Sequence, residues 1–182
     1  MKKTFNKDNW KKFKIEDCFE VKSTKTTKKE NILPGKFAYI TTKNTFNGWE
    51  SSSHKSTEKG KVITIDSATN GACFYQEKDF VASDHVEKIW PKNKELNHYI
   101  AFFLIAILNF NQEKYSYGRK RNLGNIKEEK MLLPSDALGN PDWQWMQDYV
   151  KEIFNETKDE VIQALILEYR EREREREREQ KK

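Results

Sequence analysis

The chain has 182 residues, enough for one domain with its own core plus an appendage. Charged residues reach 35%, but 13% aromatics exclude a disordered polyelectrolyte. Up to Asp142 there are 25 Lys+Arg against 18 Asp+Glu, net +7, and beyond it 9 against 11, net −2, so a basic domain suited to phosphate backbones precedes a nearly neutral tail.

Residues 1–30 are lysine-rich and lack an apolar core of signal-peptide length. KSTKTTKK reads as an exposed loop, either touching phosphates or simply solvated. Pro34-Gly35 marks a turn, and Phe37, Ala38, Tyr39, Ile40 and Thr41 follow as a short strand. The polar stretch 42–60 comes next, and a loop of that length inside a domain is usually functional or disordered. At its centre Trp49 stands beside Asn47-Gly48. Asparagine can read adenine through N6 and N7, whereas the plainer reading is an Asn-Gly turn with Trp49 folded onto the core.

KVITI, a turn at Asn70-Gly71, residues 72–76, 80–82 and 85–90 read as a meander of short strands that Pro91 ends. Asn97 is placed to cap a helix, NHYIAFFLIAILNFNQ, whose apolar residues surround the wheel and demand burial against the sheet. Its apolar run, 99–108, is too short to span a bilayer. Residues 114–126, KYSYGRKRNLGNI, then collect Lys114, Arg119, Lys120 and Arg121 with Tyr115, Tyr117, two glycines and no acid. Arg119 and Arg121 are the only arginines before the tail, and arginine offers a planar fork for guanine or phosphate. The segment is either a nucleic-acid contact loop or a solvated basic turn.

Met131-Leu132-Leu133-Pro134 reads as an extended edge, and 134–141 as a linker. This divides the chain into a domain, 1–141, and a helix, 142–182. Asp142 caps that helix, which carries Trp143, Met146, Val150, Ile153, Thr157, Val161, Leu165 and Tyr169 at spacings of three and four. The domain offers no evident face for this stripe, so it reads as a coiled-coil or helix-pair seam. The Arg-Glu alternation of 170–179 sets opposite charges at i,i+3 and like charges at i,i+4, which implies a solvated, fraying end.

Catalysis finds little support. There is no phosphate loop, no Gly-x-Ser-x-Gly, no cysteine pair for zinc, and His54, His85 and His98 are scattered. Acid-x-Lys pairs at Glu20/Lys22, Glu128/Lys130 and Glu156/Lys158 are expected by chance in so charged a chain. Asp66, at the end of KVITID, could join such a pair as a metal-binding carboxylate, but the favoured reading for Asp66 is a turn cap. Cys18 and Cys73 are isolated, pointing to a reduced cytosolic compartment. No catalytic residue, metal or cofactor is expected, and no membrane partner.

The order of features resembles the target recognition domain of type I restriction-modification specificity subunits and their type II relatives. The resemblance rests on Trp10 with the basic run to Ile15, Tyr39-Ile40-Thr41, Asn47-Gly48, residues 63–65, Gly71, Phe74-Tyr75, Phe80, Val86, the apolar helix, Tyr117-Gly118 and residues 126–134. It covers roughly residues 8–142. Departures are Lys22-Ser23-Thr24 where a glycine is usual, Phe46 where an asparagine is usual, and Ser67-Ala68-Thr69 near another common glycine.

The resemblance implies an α+β recognition domain followed by one long coiled-coil helix, a non-catalytic half-subunit that reads one half of a split DNA target. It implies a methyltransferase subunit as partner, a restriction subunit in some systems, and a second copy bound through Met146, Val150, Ile153, Val161, Leu165 and Tyr169. Lys43, Lys114 and Lys120 are then candidates for phosphate, and Asn47, Trp49, Arg119 and Arg121 for the grooves, with Tyr117 beside them. Two rivals are a small metal-dependent endonuclease using Asp66 with Glu77 or another acid, and a helical adaptor that binds no DNA.

Overall fold

The computed structural model describes residues 9–116 and 118–179, with side chains described through Arg172. Strand β1 (Trp10–Lys14) pairs antiparallel with β9 (Lys130–Pro134), which ties the two ends of the domain together. One helical turn, α1 (Ile15–Cys18), leads into β2 (Phe19–Ser23). Lysines obscure these strands in the sequence. In FEVKS, though, the apolar Phe19 and Val21 alternate with Glu20 and Lys22, the period of a strand with one buried face.

Strand β2 forms one edge of an antiparallel sheet ordered β2-β8-β5-β6, with β5 (Val62–Asp66), β6 (Cys73–Gln76) and β8 (Val86–Pro91). A second sheet, ordered β4-β3-β7, joins β3 (Phe37–Ile40) to β4 (Trp49–Ser53) antiparallel and to β7 (Phe80–Ala82) parallel. Sequential neighbours thus pair only at β3–β4 and β5–β6 among the described strands, and the other connections cross between sheets. The stretch 42–60 is not one long loop, because it contains β4. Serine favours strands weakly, so WESSS gives little local signal; its pairing, Phe37 with Ser53 and Tyr39 with Ser51, holds it extended.

Helix α2 (His98–Phe110) starts at Asn97, whose side chain accepts from Ile100 N at 3.0 Å. Its buried side chains Ile100, Phe103, Leu104 and Leu108 join Ile63, Ile65 and Ile89 of the four-stranded sheet in the main core. Each such side chain contributes about 1.5–3 kcal/mol by leaving water. A smaller cluster, Ile40, Val62, Phe80, Ala82 and Val86, binds the two sheets to each other. A short helix, α3 (Leu123–Glu128), which the basic segment did not announce, is capped by Asn122 accepting from Asn125 N at 2.9 Å.

Helix α4 (Trp143–Glu179) starts with Asp142 Oδ1 accepting from Trp145 N at 2.9 Å. Its first turns do have a face in the domain to cover, which corrects the reading of the whole stripe as an outward seam. Met146 is fully buried and Val150 nearly so, both in the main core. Trp143 meets Phe19 edge-on at 5.6 Å, and Asn97 Nδ2 donates to Gln147 Oε1 at 2.5 Å. Phe154 stacks on Phe102 at 5.7 Å. Core and helix are therefore continuous across 141/142.

Beyond Glu152 every described side chain of α4 is exposed. The helical backbone runs on to Glu179, and Arg172, in the alternating run, donates to Glu168 one turn earlier at 2.5 Å.

Candidate nucleic-acid interface

Strand β6 is an edge, and a bare edge offers unpaired backbone groups to any passing chain. Two asparagine amides occupy it. Asn109 accepts from Cys73 N at 2.9 Å and donates to Cys73 O at 3.2 Å. Asn47 donates Nδ2 to Tyr75 O at 3.1 Å and to Gln76 Oε1 at 3.2 Å. Each amide also anchors a loop. The turn 43–49 hangs from Asn47, and the basic segment 111–121 follows directly on Asn109 at the end of α2.

In the basic segment a single 3-10 turn, Asn111–Lys114, lets Lys114 Nζ donate to Asn111 Oδ1 at 2.7 Å. Ser116 and Arg119 then exchange backbone bonds of 3.2 and 2.9 Å, closing a tight hairpin. Arg119 and Gly118 are exposed on it, and a Cβ at Gly118 would meet nothing within 4 Å. Lys120 is half-buried, its carbonyl accepting from Asn125 Nδ2 at 2.7 Å. Tyr117 lies outside the described residues.

Arg121 turns inward, with 0% of its surface exposed, so its assignment to a groove is corrected. Its Nε and Nη2 donate to the two oxygens of Glu129 at 2.9 and 2.8 Å. Its Nη1 donates to Gly71 O at 2.9 Å, Leu108 O at 3.3 Å and Cys73 Sγ at 3.1 Å. Tyr115 covers the guanidinium at 5.0 Å and donates its hydroxyl to Glu129 Oε2 at 2.9 Å. This one side chain therefore locks the β5–β6 turn, the end of α2 and the start of β9 together. Gly71 belongs to the lock. Its φ is +76°, and a Cβ there would come within 2.8 Å of Arg121 Cδ.

Burial pushes the Cys73 thiol up from the usual 9.0 to about 12, against the opposing pull of Arg121. Burial and then the Glu129 carboxylate likewise push Tyr115 from 10.0 to about 12. Both groups bind their protons more tightly folded than unfolded, so their contribution to stability is complete below about pH 9 and is lost as pH rises toward 12. Denaturant midpoints measured across this range are expected to fall. Cys73→Ser, which keeps an acceptor for Arg121 but does not ionise there, should delay the decline to about pH 10, and an unshifted decline would exclude Cys73 as its source.

The other predicted positions fall on the turn 43–49. Lys43 is exposed with Nζ 5.3 Å over the Phe46 ring, and Trp49 is 46% exposed where β4 begins. Asn47 is exposed but its Nδ2 is engaged on β6. The anchors of the two loops, at Cys73 and at Tyr75 and Gln76, are no more than three residues apart on β6, or about 10 Å at roughly 3.3 Å per residue. That spacing is comparable with the roughly 12 Å width of a DNA major groove.

Asp66 is the turn cap. Its carboxylate accepts from the backbone amides of Ala68, Thr69, Asn70 and Gly71, and from the Thr69 hydroxyl. Glu77 follows the opposite end of the β5–β6 pair, where Val62 faces Gln76, so strand register keeps the two carboxylates apart. Among the described residues no three His, Cys, Asp or Glu side chains are grouped as a metal site would require. Three residues that hold these loops, Asn109, Glu129 and Gln76, escaped the sequence reading, and Phe46 entered it only as a departure from the family pattern. Asn109 left a trace, as an amide toward the end of an apolar helix.

A basic hairpin and an aromatic turn fixed beside one sheet edge, with a helix projecting from the same domain, define the class of module. The chain belongs to the type I restriction modification DNA specificity domain family, which its residues 7–163 match. It is 30% identical over 152 residues to the specificity subunit S.BcgI of the type II restriction enzyme BgcI from Heyndrickxia coagulans, a match covering 81% of this chain and 44% of that protein.

Two solved structures share the fold. The type I restriction-modification S subunit of M. genitalium superposes with a TM-score of 0.64 at 17% identity, over 91% of this chain and 44% of the other. The HsdS subunit of Thermoanaerobacter tengcongensis gives 0.57 at 9% identity, over 84% and 39%. The chain spans less than half the length of each of these relatives. Among the described residues no helix is long and apolar enough to cross a membrane.

Proposed function

We propose that this chain is a non-catalytic specificity half-subunit that reads one half of a split duplex target and brings a DNA methyltransferase subunit, and in some assemblies a restriction subunit, to it. The observation that carries the reading is the pair of loops anchored on β6, which offer Lys43, Trp49, Lys114 and Arg119 to solvent from a fixed base. Lys43, Lys114 and Lys120 serve the phosphates, Arg119 and Trp49 the groove, and Asn47 the position of its turn, with Tyr117, two residues before Arg119 in sequence, as a further candidate. Arg121 acts from inside by holding Arg119 in place.

The exposed apolar stripe of α4 supports pairing with a second copy, and a symmetric pair would read a palindromic split site. At about 1.5 Å per residue the 37-residue α4 is about 55 Å long, which exceeds one turn of DNA. The place of action is the cytoplasm, and no cofactor is required.

Selection of bound duplexes from a randomised library, with the chain alone and with its methyltransferase, tests this reading. A split motif whose binding weakens steeply with salt is expected. Arg119→Ala should cost about 1–3 kcal/mol on that motif and relax one base position, whereas Lys114→Ala should weaken all sequences alike and lower the salt slope by about one. Equal losses on every sequence for Arg119→Ala would reduce Arg119 to a phosphate contact. Absence of salt-sensitive binding in both preparations would remove the reading.

A further inference from the structure

We infer that Phe46 is a wedge that enters a base step of the bound duplex, so that part of the target is chosen by how readily that step opens. The inference rests on the DNA-reading assignment above and adds to it a residue and a mode of selection.

Three consecutive residues of the turn, Phe46, Asn47 and Gly48, have φ of 51°, 58° and 73°. Glycine takes such angles freely, but a phenylalanine there is an uphill choice for the backbone. The surroundings enforce it. Asn47 donates to Tyr75 O and Gln76 Oε1 while Gln76 Nε2 donates back to Asn47 O at 3.1 Å, and Gln76 is itself buried and held by Thr64. Gly48 N donates to Thr45 O, and Thr41 N to Gly48 O. A Cβ on Gly48 would press on Ile40 and Thr41, so the turn rests directly on the small core between the sheets.

All this order ends in a ring that is 77% exposed. A strained backbone held rigid beneath a free aromatic side chain implies that the ring's position matters to something outside the fold. The chemistry around it favours nucleic acid over protein. Residues 41–49 contain Lys43 and no acid, and the Lys43 ammonium lies 5.3 Å over the ring. The basic hairpin of Arg119 is anchored on the same strand.

Phenylalanine inserted between base pairs partly unstacks them and kinks the duplex, and a neighbouring cation is then free for the phosphate at the kink. Pyrimidine–purine steps open most easily, so the half-site should contain TA or CA/TG at the wedge position.

The test uses the full chain and duplexes carrying the enriched motif, with 2-aminopurine placed at successive steps and end-labels reporting bend. Wild-type protein should raise the fluorescence at one step and bend the duplex. Phe46→Gly should abolish both signals and lower affinity for the motif about tenfold. It should leave binding to unrelated duplexes unchanged, and should raise Tm because glycine accepts the turn without strain. If Phe46→Gly enriches the same motif with the same bend, the wedge is overturned while DNA reading stands. If it spares DNA binding and instead loses capture of the methyltransferase, the ring is a protein contact and the wedge is equally overturned. If the wild-type chain binds no duplex with or without methyltransferase, both assignments fall together.

Discussion

Arg121→Ala is expected to cost about 3–5 kcal/mol of folding free energy, a large part of the stability of a domain this size. The reason is the group left behind. Glu129 is almost fully buried, and Arg121 supplies both donors of its forked pair. The carbonyls of Gly71 and Leu108 lose a donor in the same substitution. Arg121→Lys should recover little, because one ammonium cannot span two carboxylate oxygens and two carbonyls at once.

Replacing both partners by apolar residues of similar size, Arg121→Met with Glu129→Leu, should restore much of the loss. Urea denaturation with an unchanged m-value checks all three. A loss below about 1 kcal/mol for Arg121→Ala would mean that the pair does not hold the loop. Where the variant is still folded, the selected DNA motif should keep every base position, which separates an internal anchor from a reader of bases.

The contrast between Arg119 and Arg121 marks how far the sequence could be read. Both lie in one basic segment two residues apart, and composition alone cannot say which of them faces water. The difference is made by Glu129, Gly71 and Leu108, which only the folded chain brings to Arg121. Where a signal is local, the reading matches the fold: Asn97 as a cap, the buried α2, and the strands around KVITI follow from spacing and residue type. Where partners are distant it is silent. Strand β1 takes its pairing from β9, more than a hundred residues later, and β4 is held by β3 rather than by its serines. Met146 and Trp143 looked like the start of a seam because the face they cover is assembled from α2 and β2, neither of which adjoins them in sequence.

The rest of that seam carries the second large prediction. From Ile153 onward α4 exposes Val161, Ile162, Leu165, Ile166 and Tyr169 on neighbouring turns, with Leu165 at 59% and Tyr169 at 62%. A projecting helix gains little stability from itself in water, and an apolar stripe of this length marks an association surface. In a two-fold pair each substitution is counted twice. Burying one leucine contributes about 1.5–3 kcal/mol, so Leu165→Arg should weaken dimerisation about 100- to 10,000-fold. At concentrations where the parent is itself monomeric the Tm should stay put, because Leu165 lies on the exposed part of α4. Sedimentation over a concentration series decides the matter. A dimer that becomes a monomer supports pairing of copies through α4, and an unchanged mass for a dimeric parent would move the interface elsewhere. A parent that is monomeric alone, and whose Leu165→Arg form no longer retains the methyltransferase, would assign the stripe to that partner instead.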